Sequence, residues 1–256
     1  MIKRIMKMAV KNAAEVRDEI FFQLIKEVRS NYRQECYYQA WNLLCVISCF
    51  ITPSESSVYP LLNYIKKDVI ENSRDDEVKR AARFTFVRIL KGFLTRGRGV
   101  LPCSAEIELI KKKQKLSCRI NLFTGGYLTV FFENYTVISD ILKQICGLVG
   151  IDKEHFTHFG LYEITTKQNG LHEETYIEEF IKLADVIAGW EHEKLFYQRK
   201  LGLNLDAKFN LFFKIRFAYQ LDKTVFRDSL LLYNEVLLSV LNTSSAASSS
   251  STATVR

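Results

Sequence analysis

The spacing of apolar residues changes near Lys115, and this change constrains the fold more than any other feature of the chain. Before it, apolar side chains recur every three or four positions, as at Val16, Ile20 and Leu24. After it, "KLSCRINLF" and "YLTVFFE" alternate apolar with polar residues around a "TGG" turn. The first spacing is typical of a helix with one buried face, and the second of a β-hairpin. The sequence therefore predicts an α+β chain, all-helical first and β-containing second.

The second part continues in an order that indicates a ubiquitin-like, or β-grasp, lobe. The hairpin is followed by a helical pattern in "TVISDILKQICGLVGI", a strand in "HFGLYEI" and a final strand in "KFNLFFKIRFAY". Between these two strands, "EETYIEEFIKLADVIAGWEHE" predicts a short edge element and a helical turn or two. From Asp222 the pattern is helical again, and the chain ends in a Ser-rich segment of low complexity. We predict a helical domain over 1–115, a ubiquitin-like lobe over 116–221, the start of another helical lobe over 222–242 and a disordered tail over 243–256.

The net charge of +7 is unevenly distributed along the chain. Residues 1–115 carry 22 Lys and Arg against 13 Asp and Glu, a balance of +9, and the remaining residues carry 14 against 16, a balance of −2. Only the first part therefore favours an acidic partner.

One predicted helix concentrates this positive charge on a single side. Within "EVKRAARFTFVRILKGFL", four basic residues fall within an arc of about 120° at about 100° per residue, and apolar residues occupy the other side. We predict a surface that binds an acidic partner, formed by Lys66, Lys67, Lys79, Arg80, Arg83, Lys91, Lys111, Lys112 and Lys113. A solvated helix face without a function is the alternative.

Polar residues that could carry catalysis or hold a metal do not assemble in the sequence. Asp18 and Glu19 are neighbours on a helix and point about 100° apart, so they do not converge on one substrate. His155 and His158 have a spacing that metal ligands use, but no cysteine or acidic cluster completes a site, and the six cysteines form no C-x-x-C pair. We predict no enzyme activity, no small-molecule substrate, no cofactor and no metal.

Targeting signals are also missing from the sequence. No apolar run is long enough to span a bilayer, and the basic N-terminus has no signal-peptide core or cleavage site. We therefore predict a cytoplasmic protein without a transmembrane segment.

Several motifs resemble a known pair of domains. "VRDEIFFQLIKEV" is similar to the "RDE" signature of the myosin tail homology 4 (MyTH4) domain, with Arg17, Asp18 and Glu19 in place. In the tails of unconventional myosins, and of a plant kinesin, that domain is fused to a FERM domain. "AWNLL", "TPSES" and "LPCSAEIELI" also resemble MyTH4 segments. "INLFTGGYLTVFFENYTVISDIL" resembles the first, ubiquitin-like FERM lobe, and "FKIRFAYQLDKTVFRDSLLLYNEV" resembles its exit into the helical second lobe.

This resemblance implies a function as well as a fold. It implies a cytoskeletal interaction module that binds cargo proteins and microtubules, here truncated at both ends relative to the family pattern. Arg17, Asp18 and Glu19 would be a structural signature that fixes helix packing, with Arg17 paired to a carboxylate. Nucleic-acid binding by the basic half is the alternative that the charge leaves open, although no recognised reader motif supports it.

Overall fold

The computed structural model describes residues 2–11, 14–30, 33–122, 125–166, 172–201 and 208–216. Its helices are α1 (Ile2–Lys11), α2 (Ala14–Ser30), α3 (Gln34–Ile47), α4 (Glu55–Tyr64), α5 (Asp76–Leu94), α6 (Ser104–Lys111), α7 (Ile138–Val149) and α8 (Leu183–Leu201). Its strands are β1 (Leu116–Leu122), β2 (Tyr127–Phe132), β3 (Phe159–Thr166), β4 (His172–Tyr176) and β5 (Lys208–Ile215). A π-helical stretch, Ile65–Glu71, continues α4, and a 3₁₀ helix, Lys153–His158, precedes β3.

The chain divides into two compact units that interleave along the sequence. The first unit comprises Met1–Leu116, Phe132–Thr136 and Lys182–Leu203. The second comprises Ser117–Phe131, Val137–Ile181 and Asn204–Arg256. Residues from beyond position 115 thus pack with the helices that precede it, a grouping that apolar periodicity does not reveal.

Helix α3 lies at the centre of the first unit. It packs against α1, α2, α5 and α6. Its sequence is apolar on most faces, so it can be surrounded by other helices, and Trp41, Leu44 and Ile47 are fully buried. Helix α5 turns one face towards this core, burying Val78 and Ile89.

The second unit is built around a five-stranded sheet in the order β2-β1-β5-β3-β4. Strand β1 pairs parallel with β5, and β3 pairs antiparallel with both β5 and β4. This is the β-grasp order, so the predicted α+β class and ubiquitin-like lobe are confirmed. Phe159 and Phe213 stack with their ring centroids 5.1 Å apart in the core of this unit.

Helix α7 supplies the other apolar side of that core. Ile138, Ile141, Leu142 and Ile145 are buried, as their spacing predicts. The helical spacing also predicts Leu148 on this face, but Leu148 is exposed. At about 100° per residue it lies about 60° from Ile145 and about 80° from Ile138, at the edge of the buried face.

The segment after β4 differs most from the sequence prediction. A helical turn or two was expected there, whereas α8 runs for 19 residues. Its first residues Leu183, Ala184 and Ala188 are buried, and the helix groups with the first unit. The domain division at residue 115 stays a prediction, and the predicted helix at 222–242 and tail at 243–256 lie outside the described residues. No described helix is long and apolar enough to cross a membrane.

Candidate functional site

The signature residue Asp18 fixes the start of α4. Its carboxylate accepts hydrogen bonds from the Ser54 amide at 2.7 Å, the Ser54 hydroxyl at 2.5 Å and the Ser57 hydroxyl at 2.8 Å. Burial alone would raise the pKa of Asp18, but the bonds from Ser54 and Ser57 outweigh it and lower that pKa. Ser54 occupies the N-cap position of α4 and its hydroxyl donates to Asp18, so the carboxylate of α2 holds the "TPSES" turn in place.

Arg17 and Glu19 have different environments. The Arg17 Nε donates to the Thr52 backbone carbonyl across the interface at 3.3 Å, and the pairing of Arg17 with a carboxylate stays a prediction. Glu19 is exposed and accepts from Gln23 of the same helix at 2.6 Å. Arg17 and Asp18 therefore hold the 52–57 segment, while Glu19 forms its observed bond within its own helix.

The predicted basic face lies on α5. Asp75 caps this helix by accepting from the amides of Glu77 and Val78, at 2.9 and 3.2 Å. Arg80 and Arg83 are exposed and Lys79 is half-buried, all on the side opposite the buried residues. None of these three cations forms an ion pair with another described residue. Their charge is therefore available to an external partner.

Lys91 is the member of this face whose charge is already engaged. Its ammonium group forms an ion pair with Glu133, which also lies 2.7 Å from Arg88 Nη1. Burial alone would raise the pKa of Glu133, but Lys91 and Arg88 together lower it. Lys91 consequently contributes less attraction at a distance than the cations without a carboxylate partner.

The remaining predicted lysines lie on two other elements. Lys66 and Lys67 are exposed on the π-helical stretch, which packs against α5. Lys111 pairs with Glu108 at 2.7 Å at the end of α6, and Lys112 and Lys113 follow it. The structure therefore places Lys66 and Lys67 on an element that packs against α5, and Lys111–Lys113 at and beyond the end of another helix, α6.

A buried ionic cluster, which the sequence reasoning missed, holds together distant parts of the first unit. The Arg98 side chain is 0% exposed, pairs with Glu106 and places its Nε 2.6 Å from Asp185 Oδ1. Asn134 Nδ2 donates to Glu106 at 2.5 Å. Burial raises the pKa of Glu106, although Arg98 and Asn134 partly counter it. Arg98 and Asp185 are 87 positions apart, so no local pattern could have linked them.

Two further contacts tie the same segments to the helices. The Tyr135 hydroxyl donates to the Ser48 carbonyl at 2.9 Å, and burial raises the tyrosine pKa well above its usual value. Glu191 of α8 accepts hydrogen bonds from the amide of Ser104, the first residue of α6, at 2.8 Å and from the Lys3 ammonium group at 2.9 Å. These groups are structural, because each is engaged inside the unit.

The polar residues considered for chemistry do not form a reactive site in the part of the chain that the structure describes. His155 and His158 lie with ring centroids 5.7 Å apart, but no third His, Cys, Asp or Glu joins them to hold a metal. Asp18 is engaged by serines. Of the features described, the arrangement best suited to meeting another molecule is the exposed face of α5.

Comparison with known proteins identifies the domains. Residues 2–109 match the MyTH4 domain family, and residues 114–217 match the RA-like domain family. Human pleckstrin homology domain-containing family H member 3 is 26% identical over 185 residues, and the match spans 69% of this chain and 22% of that protein. Rice kinesin-like protein KIN-14I is 23% identical over 173 residues, spanning 67% of this chain and 14% of that protein.

Solved structures agree on the fold. A mutant of the Dictyostelium discoideum myosin VII MyTH4-FERM MF1 domain matches with a TM-score of 0.78 at 22% identity, covering 93% of this chain and 46% of that one. The human myosin 7b C-terminal MyTH4-FERM domain, solved in complex with the harmonin-a PDZ3 domain, matches with a TM-score of 0.61 at 14% identity, covering 84% and 41%. The chain therefore carries a MyTH4 domain followed by an RA-like, ubiquitin-fold domain, with the fold of the myosin VII MyTH4-FERM domains.

Proposed function

We propose that this chain is a non-enzymatic cytoskeletal interaction module, which binds an acidic partner, the microtubule surface, through the basic face of α5. The observation that carries the proposal is the group Lys79, Arg80 and Arg83. These cations share one solvent-facing side of a helix, and no described carboxylate pairs with them. Positive charge concentrated on one face raises the local concentration of an acidic partner and steers its approach.

The similar proteins support a cytoskeletal setting for this contact. One is a kinesin-like protein, and the MF1 structure is part of a myosin. The proposal therefore places the chain in the cytoplasm, on the cytoskeleton, as the tail part of a motor-like protein. Lys66 and Lys67 extend the contact from the neighbouring π-helical stretch, and Lys111–Lys113 form a weaker second site.

Cargo binding is the second element of the proposal. The human myosin 7b module was solved in complex with a PDZ domain, so a module of this fold takes a protein partner in that protein. We assign the corresponding role here to the RA-like domain, whose strands β2 and β4 are the edges of the sheet. Edge strands present unpaired backbone groups to an extended partner segment.

Charge reversal on α5 tests the microtubule contact. Changing Lys79, Arg80 and Arg83 to Glu should abolish co-sedimentation with microtubules while leaving the helical circular dichroism unchanged. Because exposed charges act over a screening length of about 8 Å at physiological ionic strength, binding by the parent chain should be weak and should fall steeply with added salt.

A matched control separates this face from net charge. Arg4, Lys7 and Lys26 are exposed on α1 and α2 of the same unit, and their reversal to Glu changes the net charge equally. The control variant should retain most of the binding. Equal loss in both variants would show that overall charge attracts the microtubule, and unchanged pelleting of the α5 variant would refute the proposed face. Preferential salt-dependent binding to DNA or RNA would favour the nucleic-acid alternative.

A further inference from the structure

The solvent side of α5 is apolar in its second half. Val87, Leu90 and Leu94 are 43%, 39% and 71% exposed. At about 100° per residue they fall within an arc of about 60°, centred opposite the buried face. Apolar residues therefore lie on both sides of this half of the helix, whereas a helix on the surface of a globular unit normally turns mainly polar residues outward.

A neighbouring helix enlarges this apolar surface. Tyr59 of α4 is 67% exposed, and its ring meets Phe93 edge-on at a centroid distance of 6.4 Å. Scattered exposed aliphatic residues need no explanation, but three on one helix face beside an exposed tyrosine form a patch. Contiguous exposed patches of this kind mark interaction sites.

The apolar patch continues the basic face along the same helix. Arg83 lies one turn before Val87 on the same side, and Lys79 and Arg80 lie in the turn before it. The solvent side of α5 is thus basic in its first half and, apart from Lys91, which is paired with Glu133, apolar in its second. Such a surface matches a partner that has apolar residues at one end and acidic residues at the other.

We propose that this side of α5 docks an amphipathic helix of a partner protein, with an apolar stripe against Val87, Leu90 and Leu94 and acidic side chains against Lys79, Arg80 and Arg83. The inference rests on the proposed function and names the chemistry of the partner. At about 1.5 Å per residue, the face from Lys79 to Leu94 is about 22 Å long, which a partner helix of about 15 residues covers. Apolar residues at three- and four-residue spacing are the pattern that such a helix uses to pack.

Charge argues against a second copy of this chain as the occupant. Antiparallel pairing of two α5 helices around Leu90 brings Arg83 of each copy opposite the exposed Arg96 of the other. Parallel pairing places Arg83 beside Arg83. Both arrangements bring like charges together at the ends of the apolar contact, whereas an acidic helix neutralises them.

Anisotropy titrations of the full chain with labelled synthetic peptides test the inference. The probe is a peptide of about 18 residues with Leu at helical i, i+3, i+4 and i+7 spacing and Glu elsewhere, and the control is a scramble of the same composition without that period. The protein variants are L90Q/L94Q, K79E/R80E/R83E and, as a control for losing an exposed leucine, L148Q on α7, where Leu148 is 61% exposed.

The patterned peptide should bind the parent chain and L148Q equally, and the scramble should bind at least about tenfold more weakly. L90Q/L94Q should weaken binding by about tenfold or more at both low and high salt, because it removes apolar contact. K79E/R80E/R83E should weaken binding mainly at low salt, because it removes screened attraction.

Equal binding of the scramble, or unchanged binding to L90Q/L94Q, would overturn the inference. If light scattering shows that the parent chain is a dimer and that L90Q/L94Q is a monomer, the inference would also be overturned, and the patch would be an interface between copies of the chain. These results are distinct from failure of the proposed function, because microtubule co-sedimentation is measured separately on the same variants. If K79E/R80E/R83E loses microtubule binding while L90Q/L94Q still binds the peptide, the proposed microtubule contact is supported. The proposed docking of a partner helix is then refuted.

Discussion

Replacing Arg98 by Met should destabilise the first unit more than any surface substitution. The guanidinium group is fully buried between Glu106 and Asp185, and it lies 5.0 Å from the centre of the Phe50 ring. Met keeps much of the apolar stem but leaves both carboxylates without their cation. Removing one partner of a buried ion pair costs about 3–5 kcal/mol, against a total stability of about 5–15 kcal/mol for a typical domain. Arg98→Met should therefore remove about a fifth or more of the free energy of unfolding.

Tryptophan fluorescence in a urea titration measures this loss selectively. The two tryptophans of the chain, Trp41 and Trp190, both belong to the first unit. Lys111→Met is the matched control, because Lys111 pairs with Glu108 at an exposed site in the same unit. Exposed pairs contribute about 0–1 kcal/mol, so the control should unfold almost as the parent does.

The pH dependence of the Arg98→Met variant identifies the cause of the loss. The pKa of Glu106 is already raised by burial, and removing Arg98 takes away the main opposing contribution and raises it further. A group with a raised folded-state pKa stabilises the fold below its unfolded value, and that stability is lost as the pH rises through the folded value. The deficit of Arg98→Met should therefore be larger at about pH 7.5 than at about pH 5.

A second substitution completes the test. Arg98→Met combined with Glu106→Gln removes the uncompensated charge and should be more stable than Arg98→Met alone by more than about 1 kcal/mol at neutral pH. A loss below about 1 kcal/mol for Arg98→Met, or a deficit that does not change with pH, would refute the reasoning that the cluster is a buried, mutually dependent ionic group.

Two other contacts of the first unit give independent predictions, both measured by urea unfolding. Asp18→Asn should lower the free energy of unfolding by about 1–2 kcal/mol at neutral pH. The difference from the parent should narrow as the pH falls through the lowered pKa of Asp18, because the parent then loses the charged acceptor of the Ser54 bonds. A difference that widens in acid would contradict this. Gly92→Ala places a Cβ 2.6 Å from Thr52 Cγ2 and 2.7 Å from the Tyr135 hydroxyl oxygen. Overpacking should cost about 1–3 kcal/mol, more than the gain of about 1 kcal/mol in helix propensity, so the variant should be less stable than the parent. The same change should cost less in a Tyr135→Phe background, and an equal cost in both backgrounds would exclude the hydroxyl as the obstacle.

Local spacing was sufficient to determine the classes of structure in this chain. The helical period around Val16, Ile20 and Leu24, the alternation in "KLSCRINLF" and the "TGG" turn each describe one neighbourhood of the chain, where backbone geometry fixes which side chains share a face. The sequence therefore predicted the helices α2 to α6 of the first part, although not α1, together with the hairpin and the β-grasp order. It also placed Lys79, Arg80 and Arg83 on one side of α5, because that placement needs only the helix period.

Tertiary structure alone decided which charges are engaged and which apolar residues stay exposed. Arg98 meets Asp185 and Lys91 meets Glu133 across separations of 87 and 42 positions, and no periodic pattern connects such residues. The energy of an ion pair depends on distance and burial in space, so Lys91 and Arg83 look alike in the sequence, although among the described residues only Lys91 has a carboxylate paired with it. For the same reason, Leu90 and Leu94 could be recognised as an outward-facing patch only once the packing of α5 had shown which of its two apolar sides faces the core.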